Sequence, residues 1–372
     1  MKKQLTISYQ EIISLENLFS AWQEFLPGKK KKRDVQEFRV RLTDNILQLH
    51  KALANFTYVH GPYKAFNISD PRPRNIHKAM VRDRVLHHAI YRKLYPFFDR
   101  IFIADSYSCR IGKGAYKAIK RFGKFGLQVS KNNTKTVWIL KCDIKKFFAS
   151  IDHKILLGIL SSYIPDQNIL WLLKKIILTF PTPHQVRSRL CSGIRNLDSC
   201  FAYLPQAGGN DIGRAPTHEN KGLPLGNLTS QLFCNVYLNE FDQFVKHKLK
   251  TKRYVRYADD FVFLSESKNS LFGLVPQITA FLGERLKLQL HPDKIFIKTL
   301  ASGVDFLGWV NFPYHRALRN ATIRRMFKSI RQRPKNETLQ SYLGLISHGN
   351  TFKLKQEALN WYGLLAERTE SQ

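Results

Sequence analysis

The chain has 372 residues, 44% of them hydrophobic and 12% aromatic, enough for a large core and for two or three connected domains. Sixty Lys and Arg residues face 28 Asp and Glu, a formal net charge of +32. A polyanion relieves such self-repulsion, so a phosphate backbone is the leading partner and an anionic membrane surface the duller rival. No apolar stretch is long enough to span a bilayer, and no h-region follows the N-terminal lysines, which excludes a spanning helix and a secretory signal. Five cysteines (Cys109, Cys142, Cys191, Cys200 and Cys234) lack CxxC or Cys/His finger spacing, pointing to reduced thiols in a cytoplasm rather than to zinc.

In chain order, apolar positions at helical spacing predict a helix over 9–26, stopped by Pro27-Gly28. The run Lys29, Lys30, Lys31, Lys32 and Arg33 follows as a basic connector, either a solvated loop or a phosphate contact. A second amphipathic helix is expected over 35–54, an extended or looping stretch over 57–76, and helix again over 81–98. VWIL at 137–140 reads as a strand running into KCDIKKFF, and Asp152 is a natural N-cap for a helix over 153–163. Residues 181–222, rich in Pro, Gly, Asn and Ser, read as a long irregular insertion. Helix is expected over 228–249, then two short strands around ADD, a helix near 270–286 and a strand near 295–299. Beyond Arg316 the chain is basic and helical, and no fixed-period repeat occurs.

YVRY and FVFL flank Ala258-Asp259-Asp260 and predict a β-hairpin. Two acids at a hairpin tip can simply solubilise a turn. A third changes the reading, because Asp143 ends the hydrophobic strand VWILKCD, where a carboxylate is costly unless paired or bound to a cation. Strand–Asp and strand–turn–AspAsp can lie side by side in one antiparallel sheet, converging oxygens on hard cations such as Mg²⁺. Two such ions, roughly 3.5–4 Å apart, would clamp the attacking and leaving oxygens of a phosphoryl transfer. With the basic surface, this points to a template-dependent polymerase.

YADD at 257–260 resembles the catalytic hairpin of reverse transcriptases, and LKCDIKKFFASIDH (140–153) their first-aspartate motif, especially in the bacterial branch related to group II introns. Further motifs come in the family's order: RPRNIHKAMVRDRVLHHAI (72–90) and ADSYSCRIGKGAYKAI (104–119) resemble the fingers, GLPLGNLTSQLFCNVYLNEFD (222–242) the palm helix. LKLQLHPDKIFI (286–297) and VDFLGW (304–309, the primer-grip region) complete the set. The resemblance implies an α+β right-hand polymerase. Its divisions would be an N-terminal extension with fingers at 1–136, palm at 137–165 and 223–312, a fingers insertion at 166–222 and a helical thumb at 313–372. It implies that Asp143, Asp259 and Asp260 bind two Mg²⁺ ions, with Mn²⁺ as a substitute, and that the Ile144 carbonyl helps hold one; Asp260 is the weakest candidate as a direct ligand. Phe148 matches the steric gate against a ribose 2′-OH, with ordinary core packing as the alternative. Arg74 and Arg84 match positions meeting the triphosphate of an incoming dNTP, where a guanidinium fork suits phosphate oxygens, or else template phosphates. Lys294 matches the lysine that protonates the pyrophosphate leaving group, or is a solvated turn lysine. Arg110 and Lys113 join the basic run as candidate nucleic-acid contacts.

One departure selects a branch. Most intron-related enzymes carry Gln-Gly and Ser-Pro at the ends of the palm-helix motif; here stand Leu225-Gly226 and Ser230-Gln231. That combination resembles the reverse transcriptases of diversity-generating retroelements, as does the thumb-like SYLGLISHGNTFKL (341–354). Leu225 would lie beside the nascent base pair, offering dispersion but no directional hydrogen bond, so misinsertion should rise; otherwise it merely packs. Gly226 would permit close backbone approach to the nucleotide. The resemblance implies error-prone, adenine-mutagenised cDNA copied from a structured template-repeat RNA, a cDNA/RNA hybrid, and a pentameric basic accessory variability determinant protein. The alternatives are a group II intron-like, retron or antiphage-defence enzyme without adenine mutagenesis, and a catalytically silent RNA-binding scaffold. An RNA polymerase of the palm type is a further alternative, disfavoured by Phe148. The chain ends soon after a thumb-sized segment and lacks the NAxxH and VTG signatures of retron enzymes.

Overall fold

A computed structural model describes residues 3–68, 74–179, 220–332 and 335–370. The chain divides into two units, one of Met1–Phe102, Lys145–Phe241 and Gly283–Leu288, the other of Ile103–Ile144, Asp242–Leu282 and Gln289–Gln372. Among the described residues no helix is long and apolar enough to cross a membrane.

The first unit is mainly helical. Ser8 opens the helix Tyr9–Ile13 through a capping box, its hydroxyl accepting from the Glu11 amide while the Glu11 carboxylate accepts from the Ser8 amide at 2.9 Å. The single helix expected over 9–26 is two. Ser14 leaves the helical region (φ −52°, ψ 143°), and its hydroxyl caps the next helix, Leu15–Phe25, by accepting from the Asn17 amide. The stretch expected as one helix over 35–54 likewise breaks at Arg41 into Arg33–Val40, which buries Val35, and Leu42–Ala54, which buries Ile46, Leu49 and Leu53. These helices pack with Val81–Ile101 around Ile12, Leu18, Trp22, Phe25, Leu49, Leu86 and Ile90, all essentially inaccessible. Each such side chain contributes about 1.5–3 kcal/mol by leaving water. Strands β1 (Lys64–Ile68) and β2 (Arg74–Lys78) pair antiparallel with Phe66 opposite Ile76, giving the extended segment a defined hairpin form. Asp152 caps His153–Ser161 as expected, its Oδ1 accepting from the Ile155 amide at 3.1 Å. Most of the insertion expected at 181–222, with Cys191 and Cys200, lies outside the described residues.

The second unit is built on a four-stranded antiparallel sheet of order β4-β5-β3-β6, comprising β3 (Trp138–Asp143), β4 (Tyr254–Tyr257), β5 (Asp260–Ser265) and β6 (Phe296–Thr299). β3 is central, which explains its near-continuous apolar run: Ile139, Leu140 and Cys142 are fully buried. Alternation along the strands sends Ile139, Val255, Val262 and Leu264 to a core shared with Phe122 and Phe125 of the helix Ala115–Val129. The helix expected over 228–249 is α-helical over Leu228–Gln243, belonging to the first unit as far as Phe241, and widens within the second into a π turn at Phe244–Lys248, where Phe244 stacks on Phe281 at 4.2 Å. Beyond β6, a three-stranded antiparallel sheet of β7 (Val304–Phe306), β8 (Trp309–Asn311) and β9 (Arg316–Leu318) precedes the helices Asn320–Gln332, Asn336–Ile346 and Phe352–Glu370. Trp309, Met326, Ile330, Leu339 and Ala358 form the core of this end. Cys142 and Cys234 are buried thiols, whereas Cys109 is exposed.

A buried polar knot makes the first unit sensitive to pH. Fully buried Asp83 accepts from the Tyr58 hydroxyl and the Gly61 amide at 2.9 Å each. The Nε2 atoms of His60 and His87 lie 3.2 Å apart, so one ring donates and the other accepts. Burial holds His87 well below the usual imidazole range, with His60, His88 and Arg84 adding to it. Burial, then Lys29 and Arg84, bring His88 to about 4. As pH falls below about 6.5 the unfolded chain takes up protons that the folded histidines refuse, and stability is lost. The urea midpoint should therefore fall between pH 7 and pH 5, and His88→Gln should flatten the slope. A pH slope in His88→Gln equal to that of the wild type would contradict the assignment.

Candidate active site

The sheet of the second unit brings two acids together by register. β3 pairs with β5 so that Cys142 faces Phe261 and Asp143 faces Asp260 across the ladder. Directly opposed residues share one face of a sheet, so both carboxyl groups leave it on the same side. Asp259 precedes β5 in the two-residue turn Ala258-Asp259, and its carbonyl accepts from the Ile144 amide at 3.3 Å. The three aspartates and Ile144 thus gather at one end of one sheet. The carbonyl of Asp143 accepts from the His291 amide at 2.8 Å, which ties the strand end to the short turn holding Lys294.

Like charges facing each other across a sheet repel, and two lysines offset this. Lys294 Nζ donates to Asp143 Oδ1 at 3.0 Å, and Lys141 Nζ lies 3.2 Å from Asp260 Oδ2 while donating to the Asp305 carbonyl at 2.9 Å. Burial still pushes Asp260 up to about 7, against the pull of Lys141 and with smaller contributions from Asp143 and Asp259. Its buried Oδ1 has no hydrogen-bond partner. The same burial raises the Cys142 thiol to about 12.

The donors are all hard oxygens, and the orphaned Oδ1 is a buried acceptor that a cation would satisfy. The residues therefore fit Mg²⁺ rather than a softer metal. They do not make a closed cage. Among the described residues no three His, Cys, Asp or Glu side chains close on one metal position. That is the usual condition of Mg²⁺ sites completed by water and substrate phosphates.

The remaining sequence candidates fall in two groups. In the second unit, Arg110 donates to the carbonyls of Ile103 and Ser106 at 2.7 and 3.0 Å, and Lys113 to that of Ala104 at 2.9 Å, so both bind their own loop. In the first unit, Lys29 donates to the Phe25 carbonyl at 2.8 Å, closing a helix end, and Arg33 pairs with Glu37 at 2.9 Å. Lys30, Lys31 and Lys32 are exposed. Arg84 is held by Asp34 at 2.5 Å and stacks over Phe25, while Arg74 begins β2 on the surface. Phe147 is buried and Phe148 half-buried, with ring centroids 5.7 Å apart, so the core role falls to Phe147. The half-buried Leu225 uses its carbonyl to accept from the His77 amide at 3.0 Å, and Asn227 donates to the His77 carbonyl at 3.2 Å. Gln231 is half-buried on the helix Leu228–Gln243. Gly226 has φ +103°, and a Cβ there would stand 2.9 Å from Ile76 Cγ2, so the close approach it permits in this structure is to β2. Sequence reasoning missed Lys141, although its position two residues before Asp143 on the same strand face was a usable signal.

The antiparallel sheet and its acidic end fit the right-hand polymerase class of fold. Residues 67–310 match the family model described as reverse transcriptase (RNA-dependent DNA polymerase), and the chain belongs to that family. It is 24% identical over 274 residues to protein YkfC of Escherichia coli strain K12, covering 64% of this chain and 61% of that one. It is 20% identical over 367 residues to the group II intron-encoded protein LtrA of Lactococcus lactis subsp. cremoris, covering 81% of this chain and 54% of LtrA. The chain thus spans little more than half the length of these relatives. Apo telomerase from Candida tropicalis, truncated from its C-terminal domain, aligns with a TM-score of 0.42 and 12% identity over 72% of this chain and 59% of that one. Membership in the family gives the α+β right-hand class expected from the motifs.

Gly226→Ala should lower stability by about 1–3 kcal/mol in urea unfolding, from the positive φ and the Ile76 overlap together. Unchanged stability would contradict the described packing of this loop against β2.

Proposed function

We propose that the chain is an RNA-directed DNA polymerase that extends DNA with dNTPs on an RNA template. The observation that carries this reading is the register that sets Asp143 opposite Asp260 beside the Asp259 turn. Asp143, Asp259, Asp260 and the Ile144 carbonyl would hold two Mg²⁺ ions, or Mn²⁺ in their place. Such ions polarise the phosphoryl centre and stabilise the attacking and leaving oxygens. Lys294, already near Asp143, is suited to give a proton to departing pyrophosphate. Phe148 excludes the ribose 2′-OH, supported by Phe147 carrying the core packing instead. Arg74 and the exposed Lys30, Lys31 and Lys32 meet phosphates of nucleotide or template, consistent with the +32 charge. The fingers, palm and thumb boundaries implied by the motifs and a cytoplasmic location belong to the same proposal.

The finer reading is the diversity-generating branch. Leu225 in place of an amide side chain, followed by Gly226 and by Ser230-Gln231, supports adenine-directed misincorporation into cDNA copied from a structured template-repeat RNA. A pentameric basic accessory variability determinant protein is the partner this reading brings with it. Two near-identical repeats in the flanking DNA, differing mainly at adenines, are expected; their absence would leave a reverse transcriptase of the intron-related kind.

Asp259→Asn should abolish Mg²⁺-dependent dNTP incorporation on an RNA template while leaving RNA affinity within about threefold, a loss on the scale of a removed electrostatic partner. Full activity would overturn the metal assignment. In the same assay Phe148→Ala should admit ribonucleotides; intact discrimination would put the gate elsewhere. Leu225→Gln should lower misincorporation opposite template adenines, and sequencing of the products decides it, since an unchanged error spectrum would remove Leu225 as the cause.

A further inference from the structure

We infer that Arg256 is a positioning residue that fixes the turn carrying Asp259, so that this carboxylate is oriented before any ion or nucleotide arrives. This inference rests on the proposed metal site. Arg256 is fully buried on β4, one of the largest side chains with no exposure at all. Its Nε and Nη2 donate to Asp242 Oδ1 and Oδ2 at 2.8 and 2.6 Å, a bidentate fork, and Nη2 also donates to Ser106 Oγ at 3.0 Å. Asp242, equally buried, accepts from the Tyr254 hydroxyl at 2.8 Å. The backbone of Arg256 is committed too: its amide donates to the Asp105 carbonyl at 2.9 Å, and its carbonyl accepts from the Tyr107 amide at 3.0 Å.

One arm of the guanidinium does something the ion pair does not require. Nη1 reaches forward two residues and donates to the Ala258 carbonyl at 3.2 Å. Ala258 is the first residue of the two-residue turn and sits at φ +53°. Hairpin turns that need a positive φ at this place usually carry glycine, because a Cβ there costs about 1–2 kcal/mol. An alanine in this conformation is steadied by an external tether, and the guanidinium supplies one. The next peptide is tied from the other side, since the Asp259 carbonyl accepts from the Ile144 amide. Asp259 is therefore held at both flanking peptides, at the Ala258 carbonyl by a buried cation and at its own carbonyl by the residue after β3. A buried ion pair is weak support for stability, as an apolar pair of similar volume often does as well. Control of backbone geometry is a role that only the forked cation can fill.

The test compares Arg256→Lys, which keeps the charge toward Asp242 but loses the fork, with Ser106→Ala, which removes a contact of Nη2 and leaves the Nη1 bond to Ala258 in place. Mn²⁺ binding to the nucleic-acid-free full chain is read by electron paramagnetic resonance. The Mg²⁺ dependence and the dNTP KM of incorporation are read separately. Arg256→Lys is expected to weaken Mn²⁺ binding and to raise the Mg²⁺ requirement by about tenfold each, with dNTP KM within about threefold. Ser106→Ala should match the wild type in all three even if its melting temperature falls. Adding Ala258→Gly to Arg256→Lys should recover most of the lost Mn²⁺ affinity, because glycine holds a positive φ without a tether. The inference is overturned if Arg256→Lys stays within twofold of wild type, if Ser106→Ala loses as much, or if glycine at 258 recovers nothing. Should Arg256→Lys not fold, Asp242→Asn, which loosens the same fork, takes its place under the same thresholds. A wild-type chain that binds Mn²⁺ but incorporates no dNTP would sink the polymerase reading while the Mn²⁺ arms still decide Arg256.

Discussion

Everything at the acidic end of the sheet depends on one register, the pairing of β3 with β5 that sets Asp143 opposite Asp260. A slip of one residue would send one carboxylate to the other face and put Cys142 or Phe261 in its place. Packing on both faces opposes the slip, because the moved strand would exchange the environments of its own buried residues, Ile139 and Leu140 on β3 or Val262 and Phe263 on β5. The hydrophobic sheet is therefore what makes the charge constellation possible, and the chemistry is inherited from the packing.

That constraint carries an electrostatic cost, and the answer is local. Each acid of the opposed pair has its own lysine, one on β3 itself and one on the turn after the helix Lys268–Leu286. Lys141 is further steered by the Asp305 carbonyl, so it cannot simply swing to Asp143 without losing a hydrogen bond. The two cations offset the charge of the sheet end, and the buried Oδ1 of Asp260 remains an acceptor without a hydrogen-bond partner. A sheet end built this way offsets its own charge and offers oxygen chemistry that suits a hard cation.

The sequence was most legible where periodicity and burial agree. Strand β3, the YADD hairpin, the Asp152 cap and the helix near 270–286 could be read from alternation, turn chemistry or helical spacing, and the register of the acids was inferable once all three were noticed. Breaks were not legible. Ser14 looks like an ordinary helical residue until its hydroxyl is seen capping the helix Leu15–Phe25, and nothing in the spacing around Arg41 or Phe244 marks a helix break or a π turn. Polar partners were also hidden. Arg84 reads as a phosphate ligand by position, and the pairing of its Nη2 with Asp34, fifty residues earlier in the chain, could not be foreseen. Arg110 and Lys113 serve their own loop. Long-range pairing of this kind leaves no periodic trace.

The loop ahead of the helix Leu228–Gln243 shows how the fold separates architecture from chemistry. It is joined to β2 through the carbonyl of Leu225 and the side chain of Asn227, both meeting the backbone of His77. Main-chain recognition is blind to side-chain identity, so residue 225 can be exchanged through evolution while the hairpin stays docked. The side chain at 225 is thereby free to change with no toll on the scaffold that presents it.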